Sequence, residues 1–312
     1  MLKPTPDDIE AAAARIAGRV RETPLLTVEP DAFGLPCPVT LKLEHTQVTG
    51  SFKVRGAFNN MLSRDVPEAG VVAASGGNHG AAVAYAATSL GHKSRIFVPK
   101  AIAKEEKLRR MRMFGGEVVL TEGSVADCMA EYAAAAEESG ALSVHPYDTE
   151  WTLAGQGTVA REFEKQMGGI DTILVATGGG GLIGGIAAWF GDRVNVISVE
   201  TEGTDTLARS MKEGPEIDIS PSGVAAGSLG GPRLGVQSWQ VIRERVSKAL
   251  VLKDEDVYDA ARKLWEQTRL TGEPGAAVAL AALTSGAYVP QKDERLAVLL
   301  CGGNADIDWF VA

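Results

Sequence analysis

The most informative stretch of the chain reads Gly50-Ser51-Phe52-Lys53-Val54-Arg55-Gly56-Ala57. It places a lysine directly after an aromatic residue. Because an apolar neighbour disfavours the ammonium form, Lys53 is a candidate nucleophile that could form a Schiff base with a carbonyl compound. The alternative is that Lys53 is one solvated cation among the 31 lysine and arginine residues. Two further motifs favour the first interpretation.

Both motifs are rich in glycine, follow strand-like runs and precede helix-like ones. They are Ser75-Gly76-Gly77-Asn78-His79-Gly80 and Thr177-Gly178-Gly179-Gly180-Gly181-Leu182. Consecutive glycines at a helix start let several backbone N–H groups converge on one anion, and the helix dipole adds to the attraction. The second motif therefore predicts a phosphate site.

A dinucleotide site is the competing interpretation of the second motif. The residues from Gly179 to Gly184 fit the pattern G-x-G-x-x-G, and Glu200 ends the next predicted strand about twenty residues on. Such a match is weak by itself, and four glycines in a row are more than a pyrophosphate turn requires. No Gly-Lys-Ser/Thr follows, so a P-loop is excluded.

Composition restricts the class of protein. The chain has 312 residues, 45% of them hydrophobic, and a net charge of −9, which argues against a nucleic-acid partner. The odd number of widely separated cysteines predicts neither a disulfide framework nor a zinc cluster. No charged-then-apolar leader and no apolar run near ~18 residues is visible. We therefore expect a cytoplasmic protein with no membrane partner.

Short apolar runs alternate with longer helical patterns along most of the chain. This alternation predicts an α/β fold with open, mostly parallel sheets covered on both faces. The predicted helices span residues 9–20, 81–90, 104–114, 125–138 and 182–189, and the predicted strands span residues 39–43, 70–74, 95–98, 117–121, 171–176, 194–199 and 295–300.

Together with Cys301-Gly302-Gly303-Asn304, these motifs resemble those of the fold-type II pyridoxal-phosphate enzymes, in particular the serine/threonine dehydratase and serine racemase branch. The resemblance covers nearly the whole chain. It implies a two-lobed, tryptophan synthase beta-like fold with pyridoxal 5'-phosphate in the cleft and a small-molecule amino-acid substrate. Residues 1–47 and 146–312 would form a large cofactor-binding domain, and residues 48–145 a small mobile one. Assembly into a homo-oligomer is also expected.

The resemblance assigns roles to individual residues. Lys53 would form the Schiff base, Phe52 would lie against the pyridine ring, and Asn78 would hydrogen-bond the 3′ oxygen of the cofactor. A neutral Cys301 would face the pyridine nitrogen. Cofactor phosphate would be bound by Gly178, Gly179, Gly180, Gly181 and Leu182, and substrate carboxylate by the loop of Ser75, Gly76, Gly77 and His79.

Three features depart from the pattern of that branch. Gly76 stands where serine racemases carry a serine that acts as a second base. Glu200 matches the first ligand of a divalent-metal site (Mg or Ca), but Thr206 stands where a second carboxylate is expected. Arg233 lies in a region that faces the substrate in relatives, and it is either a solvated cation or one that reads a second carboxylate.

The expected function is β-elimination from a 3-hydroxy amino acid, L-threonine or L-serine, which gives a 2-oxo acid and ammonia. A β-hydroxyaspartate dehydratase and an amino-acid racemase are alternatives on the same scaffold. An NAD-dependent dehydrogenase is the alternative from a different class.

Overall fold

The computed structural model describes residues 3–311. Its strands form two sheets: β1 (Leu25–Val28), β2 (Val39–Lys42), β3 (Val71–Ala74), β4 (Ser94–Pro99), β5 (Glu117–Thr121), β6 (Leu142–Ser143), β7 (Thr172–Ala176), β8 (Asn195–Thr201), β9 (Val246–Leu252) and β10 (Leu296–Leu299). The larger sheet has the order β1-β2-β10-β7-β8-β9, and the smaller one has the order β5-β4-β3-β6. All pairings are parallel except that of β1 with β2. The predicted α/β class with mostly parallel sheets is confirmed.

Helices cover both sheets. They are α1 (Pro6–Ile16), α2 (Lys53–Leu62), α3 (Asn78–Ser89), α4 (Glu105–Met113), α5 (Val125–Ser139), α6 (Glu150–Met167), α7 (Gly181–Phe190), α8 (Thr206–Glu213), α9 (Ala226–Leu229), α10 (Val236–Arg245), α11 (Asp254–Thr268) and α12 (Pro274–Thr284). In the described part of the chain, no helix is long and apolar enough to cross a membrane.

Each sheet has its own buried apolar core. The core of the larger sheet includes the β7 residues Ile173 to Ala176 and the apolar face of α12. The smaller sheet packs β3 and β4 against α2 and α3. All four strands of the smaller sheet lie between Val71 and Ser143, inside the range predicted for the smaller domain. The boundaries of that domain stay a prediction.

Two helices begin at residues that the motifs singled out. α2 begins at Lys53, although no helix was predicted there, and α3 begins at Asn78, earlier than the predicted start at residue 81. Because the first N–H groups of a helix have no partner within it, both starts leave backbone donors free. The fold therefore puts the motif residues at helix N-termini.

Candidate active site

A cleft of about 860 Å³ lies where strands of both sheets end. β3 runs into the loop that begins at Ser75, β7 runs into the four glycines, and β10 runs towards Cys301. Ligands of open α/β sheets bind outside the carboxyl ends of the strands, so this is the expected place for a site. The predicted residues that line the cleft are Phe52, Lys53, Ser75, Gly76, Gly77, Asn78, His79, Gly178, Gly179, Gly180, Gly181, Leu182 and Cys301.

Lys53 presents its amine to this cleft. The Nζ atom donates to the carbonyl oxygen of Pro146 at 2.9 Å and lies 5.2 Å from the centroid of the Phe52 ring. Burial lowers the pKa of Lys53 to about 8, against opposing contributions from Cys301 and Glu273. A larger share of neutral amine is therefore present near neutral pH than for an ordinary lysine, as a nucleophile requires.

The four glycines form a cradle in which side chains have no room. A Cβ on Gly178 would lie 2.6 Å from the carbonyl oxygen of Leu229, and one on Gly179 would lie 2.5 Å from the Tyr147 ring. Gly180 has φ +88°, a conformation that L side chains rarely adopt. α7 starts at Gly181, so its free N–H groups and its dipole meet at this point. The cradle suits a phosphate group.

The loop before α3 combines backbone and side-chain groups. The Ser75 hydroxyl accepts the N–H of Gly77 at 3.2 Å, and a Cβ on Gly76 would lie 3.3 Å from a methyl group of Val98. The Nε2 atom of His79 bonds the carbonyl oxygen of Val144 at 2.8 Å, and burial lowers the pKa of this imidazole to about 3. A neutral His79 thus donates to Val144, and only its backbone is left to hold a substrate carboxylate.

Cys301 is buried beside the cleft. Burial, with Glu273 nearby, raises the pKa of its thiol, which is therefore neutral at physiological pH. The Cys301 carbonyl oxygen accepts the N–H of Phe52 at 3.1 Å and so ties the end of β10 to the start of α2. A neutral sulfur group at this position is suited to contact an uncharged ring nitrogen.

Comparison with known proteins identifies the group that this site holds. Residues 16–302 match the family described as pyridoxal-phosphate dependent enzyme. The chain belongs to this family. Pyridoxal 5'-phosphate is therefore its cofactor, and the residues of the cleft fit it: an amine at Lys53, an anion cradle for the phosphate, and the neutral Cys301. The family match favours the phosphate interpretation of the glycine motif over the dinucleotide one, because the matched residues 16–302 include these glycines.

Curated relatives and solved structures agree with this assignment. L-threonine ammonia-lyase of Geobacter sulfurreducens is 36% identical over 96% of this chain and 75% of its own length. Phenylserine dehydratase of Ralstonia pickettii is 35% identical over 97% of this chain and 95% of its own. The structure of maize serine racemase matches with a TM-score of 0.92 at 32% identity, covering 98% of this chain and 95% of that one. The fold-type II resemblance is confirmed.

The structure gives Glu200 a role different from the predicted one as a metal ligand. Its two carboxylate oxygens accept the N–H groups of Leu207 at 2.7 Å and Ala208 at 2.8 Å, so Glu200 caps α8. The hydroxyl of Thr206 donates to the carbonyl oxygen of Gly231. Within residues 3–311, no cluster of three or more His, Cys, Asp or Glu side chains could hold a metal ion. This geometry does not favour a divalent cation at Glu200.

Arg233, for which the sequence leaves two places open, lies in an ion pair at the surface. Its guanidinium pairs with the carboxylate of Asp218, with distances of 2.8 and 2.6 Å, and its side chain is 45% exposed. It is not among the residues that line the cleft, although its neighbour Pro232 is. The guanidinium is already paired and therefore does not serve as a free reader of a second substrate carboxylate.

Sequence reasoning missed several residues of the cleft. Lys107 of α4 lines the cleft, and its Nζ atom donates to the carbonyl oxygen of Gly227 in α9 at 3.2 Å. Glu273 was noted only as part of a framework segment, yet its carboxylate accepts a hydrogen bond from the Nδ2 atom of Asn78 at 2.6 Å. Tyr147 packs against the glycine cradle. A signal for Glu273 was available, since an acidic residue rarely enters a buried segment unless it is paired.

Proposed function

We propose that this protein is a pyridoxal-phosphate-dependent ammonia-lyase that converts a 3-hydroxy amino acid, L-threonine or L-serine, to a 2-oxo acid and ammonia. The observation that carries the proposal is that the cleft contains a reactive amine, Lys53, and has a glycine, Gly76, which lacks a side chain, in the loop before α3. The relatives named L-threonine ammonia-lyase and phenylserine dehydratase support the same class of reaction.

The chain's own groups divide the work. When bound, the cofactor withdraws electrons from the Cα atom of the substrate. The glycine cradle holds the phosphate, and the free N–H groups at the start of α3 bind the substrate carboxylate. The Nζ atom of Lys53 then takes the Cα proton. The Cβ–O bond breaks, and the hydroxyl takes up the proton held by Lys53 and leaves as water. The released enamine tautomerises to an imine, and hydrolysis of the imine consumes one water and gives the 2-oxo acid and ammonia.

Phe52 and Cys301 set the environment of Lys53. The ring of Phe52 lies 5.2 Å from the amine, and burial lowers the pKa of Lys53 to about 8, so a larger share of neutral amine is present near neutral pH than for an ordinary lysine. The thiol of Cys301 keeps its proton at physiological pH because burial raises its pKa, so it would donate at most a weak hydrogen bond to a ring nitrogen. Lys53 thus acts in a cleft where its own nitrogen is the group best placed to accept a proton.

Gly76 favours elimination over racemisation. Racemisation needs a base on each face of the Cα carbanion, so that a proton removed from one side returns on the other. Gly76 has no side chain to carry a proton, and Ser75 already accepts the N–H of Gly77. We expect the enzyme to form pyruvate from L-serine much faster than it forms D-serine from L-serine. Gly76→Ser should raise D-serine formation, and D-serine formed by the unaltered enzyme as fast as pyruvate would contradict the proposal.

The experiment that tests the proposal is an assay of 2-oxo acid release from L-serine, L-threonine, 3-hydroxyaspartate and 3-phenylserine. We expect turnover of serine or threonine that is lost in Lys53→Ala. Binding of NADH in place of a yellow, covalently attached cofactor would count against it. Reduction with borohydride and peptide mapping should place the pyridoxyl group on Lys53.

A dicarboxylic substrate is a second candidate, and two lysines favour it. Lys104 and Lys107 of the smaller sheet's α4 segment both line the cleft, whereas Arg233 does not. An ammonium group at the mouth of a cleft attracts a second carboxylate. If the substrate is 3-hydroxyaspartate, Lys104→Met should raise its KM several-fold and leave threonine turnover unchanged. Equal effects on both substrates return the assignment to threonine or serine.

Assembly and location belong to the same proposal. We infer a homo-oligomer acting in the cytoplasm, as expected from the composition and the resemblance. Light scattering of the purified protein measures the mass of the assembly, and the mass of a single chain would contradict the homo-oligomer.

A further inference from the structure

Glu273 is a buried carboxylate whose contacts point into the cleft. Its side chain is 4% exposed, it precedes α12, and its Oε1 atom accepts the Nδ2–H of Asn78 at 2.6 Å. A Cβ on Gly302 would lie 2.2 Å from the same oxygen, so a glycine there lets the carboxylate reach Asn78. The mechanism above leaves this carboxylate unused.

A chain of hydrogen bonds fixes which way the Asn78 amide faces. Asn304 Nδ2 donates to the backbone carbonyl of Thr49 at 2.9 Å and to Asn78 Oδ1 at 2.6 Å. Because a backbone carbonyl can only accept, the NH2 group of Asn304 must face Thr49, and the oxygen of Asn78 must then face Asn304. The NH2 group of Asn78 therefore faces Glu273 and the cleft.

Counting donors shows what remains for a ligand. An asparagine amide has two N–H donors. One goes to Glu273, and within the described part of the chain the other has no protein acceptor. Asn78 lines the cleft, so the group it has available there is one N–H and not its oxygen.

Glu273 also brings charge to this side of the cleft. The charged or titratable groups that face it are Lys53 on α2, Lys107 and Arg110 on α4, and the neutral Cys301 after β10. Burial outweighs the three cations and the Asn78 hydrogen bond, so the pKa of Glu273 lies above its ordinary value. When it is ionised, this carboxylate stabilises a positive charge on the nitrogen of Lys53.

We propose that Glu273 is a positioning residue: through Asn78 it orients the one hydrogen-bond donor presented to the cofactor ring, and it supplies the negative charge that holds a proton at the nitrogen of Lys53. This inference rests on the cofactor of the family and is independent of which amino acid is turned over. Its test uses the visible spectrum and the affinity of the bound cofactor. The role of Glu273 can therefore be refuted while the proposed reaction stands, and the proposed reaction can be refuted while the role of Glu273 stands.

The charge is tested by Glu273→Gln. The amide oxygen of Gln can still accept from Asn78, but the negative charge is gone. Loss of a nearby charge shifts a pKa by about one unit or more, so we expect the pH midpoint of the absorbance change of the holoenzyme to fall by about one unit. The control is Glu200→Gln, which replaces another buried carboxyl group, outside the cleft, whose pKa burial raises to about 8. Its midpoint should stay that of the unaltered enzyme.

The orientation is tested by Glu273→Asp, which keeps the charge but shortens the side chain by one methylene group. We expect an unchanged pH midpoint and a dissociation constant for pyridoxal phosphate about tenfold higher, as expected for loss of a charge-assisted hydrogen bond. Thermal unfolding of each apoenzyme checks that the variants fold. An unshifted midpoint in Glu273→Gln refutes the charge role. Unaltered cofactor affinity in Glu273→Asp refutes the positioning role, even if Glu273→Gln does not fold.

Discussion

Lys42 and Lys53 are both withdrawn from water in this chain, but their amines have different partners. Lys42 is fully buried, and its Nζ atom donates to the carbonyl of Thr23 at 2.7 Å, to Glu162 at 2.5 Å and to Gln166 at 2.7 Å. Lys53 has one acceptor, the carbonyl of Pro146. Burial lowers the pKa of both lysines, to about 8 for Lys53.

The difference separates a structural lysine from a reactive one. An ammonium group has three donors, and Lys42 uses all of them on fixed acceptors, one of which is a carboxylate. Lys53 keeps donors unused, lies against Phe52, and faces an open cleft. Burial alone therefore does not make a lysine a nucleophile. A buried lysine is a nucleophile where its ammonium form lacks partners and a substrate can reach the nitrogen.

The ion pairs around Lys42 also hold the helix that carries Lys53. Arg55, two residues after Lys53 on α2, is 1% exposed and pairs with Glu44 at 2.7 Å and with Glu162 at 2.9 Å. Glu162 also accepts from Lys42. This ionic cluster joins α2, β2 and α6, so it holds the helix whose first residue is Lys53.

The largest effect should follow removal of the reactive amine. In Lys53→Ala the nitrogen that takes the Cα proton is gone, and positioned acid–base catalysis contributes about 10²–10⁴-fold by itself. We expect 2-oxo acid release to fall at least a thousandfold and borohydride to attach no pyridoxyl group at residue 53. Substantial turnover in this variant would mean that Lys53 is not the reactive lysine.

Lys42→Met should affect stability instead. It leaves the carbonyl of Thr23 and one oxygen of Glu162 without their buried cation, although Arg55 still pairs with Glu162. Breaking a buried ion pair costs about 3–5 kcal/mol, and the lower end applies because Arg55 remains. We expect the free energy of unfolding in urea to fall by about 3 kcal/mol. The holoenzyme spectrum should not change, and a changed spectrum would contradict the separation of roles.

Much of the fold and site follows from local sequence. Strand β5, helix α5 and the placement of glycines at the start of α7 depend on short apolar runs, capping residues and conformational freedom, which a sequence displays directly. Lys53 and Asn78 were found because each stands in a dense motif. Strands β1 and β9 were not predicted, because β1 has only four residues and the seven residues of β9 lack a regular alternation of buried and exposed positions.

What the sequence does not display is pairing between distant segments. Asn78 meets Glu273 and Asn304 only in the folded chain, so a local motif cannot reveal their network. Glu200 and Arg233 illustrate the same limit of local sequence. Both stood near expected ligand positions, yet a helix start takes the first and Asp218 takes the second. Local partners decide which charged groups remain available.

The two lysines should also respond differently to pH. Only neutral amine attacks a carbonyl group, so the rate of pyridoxal-phosphate uptake by the apoenzyme should rise with pH and reach half its plateau near pH 8, following the pKa of Lys53. Trace acylation of the apoenzyme followed by peptide mapping should label Lys53 with the same midpoint and leave the enclosed Lys42 unlabelled. A midpoint near 10.5, the ordinary value, would show that burial does not activate Lys53.

The smallest effect should come from Arg233→Ala, which extends the comparison to a satisfied cation on the surface. Arg233 pairs with Asp218 and Glu216, and all three side chains are well exposed. Exposed ion pairs contribute little, and a guanidinium engaged outside the cleft does not select substrates. We expect KM and kcat for threonine and for 3-hydroxyaspartate to change by less than about twofold, the range of a neutral surface substitution.

A selective loss of 3-hydroxyaspartate turnover in Arg233→Ala would break this argument. It would mean that the guanidinium leaves Asp218 when a diacid enters, so that a cation satisfied in the free protein still acts on substrate. Asp218→Asn provides the check, because it weakens the competing partner. If Arg233 serves the substrate, this change should improve the KM for the diacid. If Arg233 belongs to the surface, as its pairing indicates, the change should leave that KM as it is.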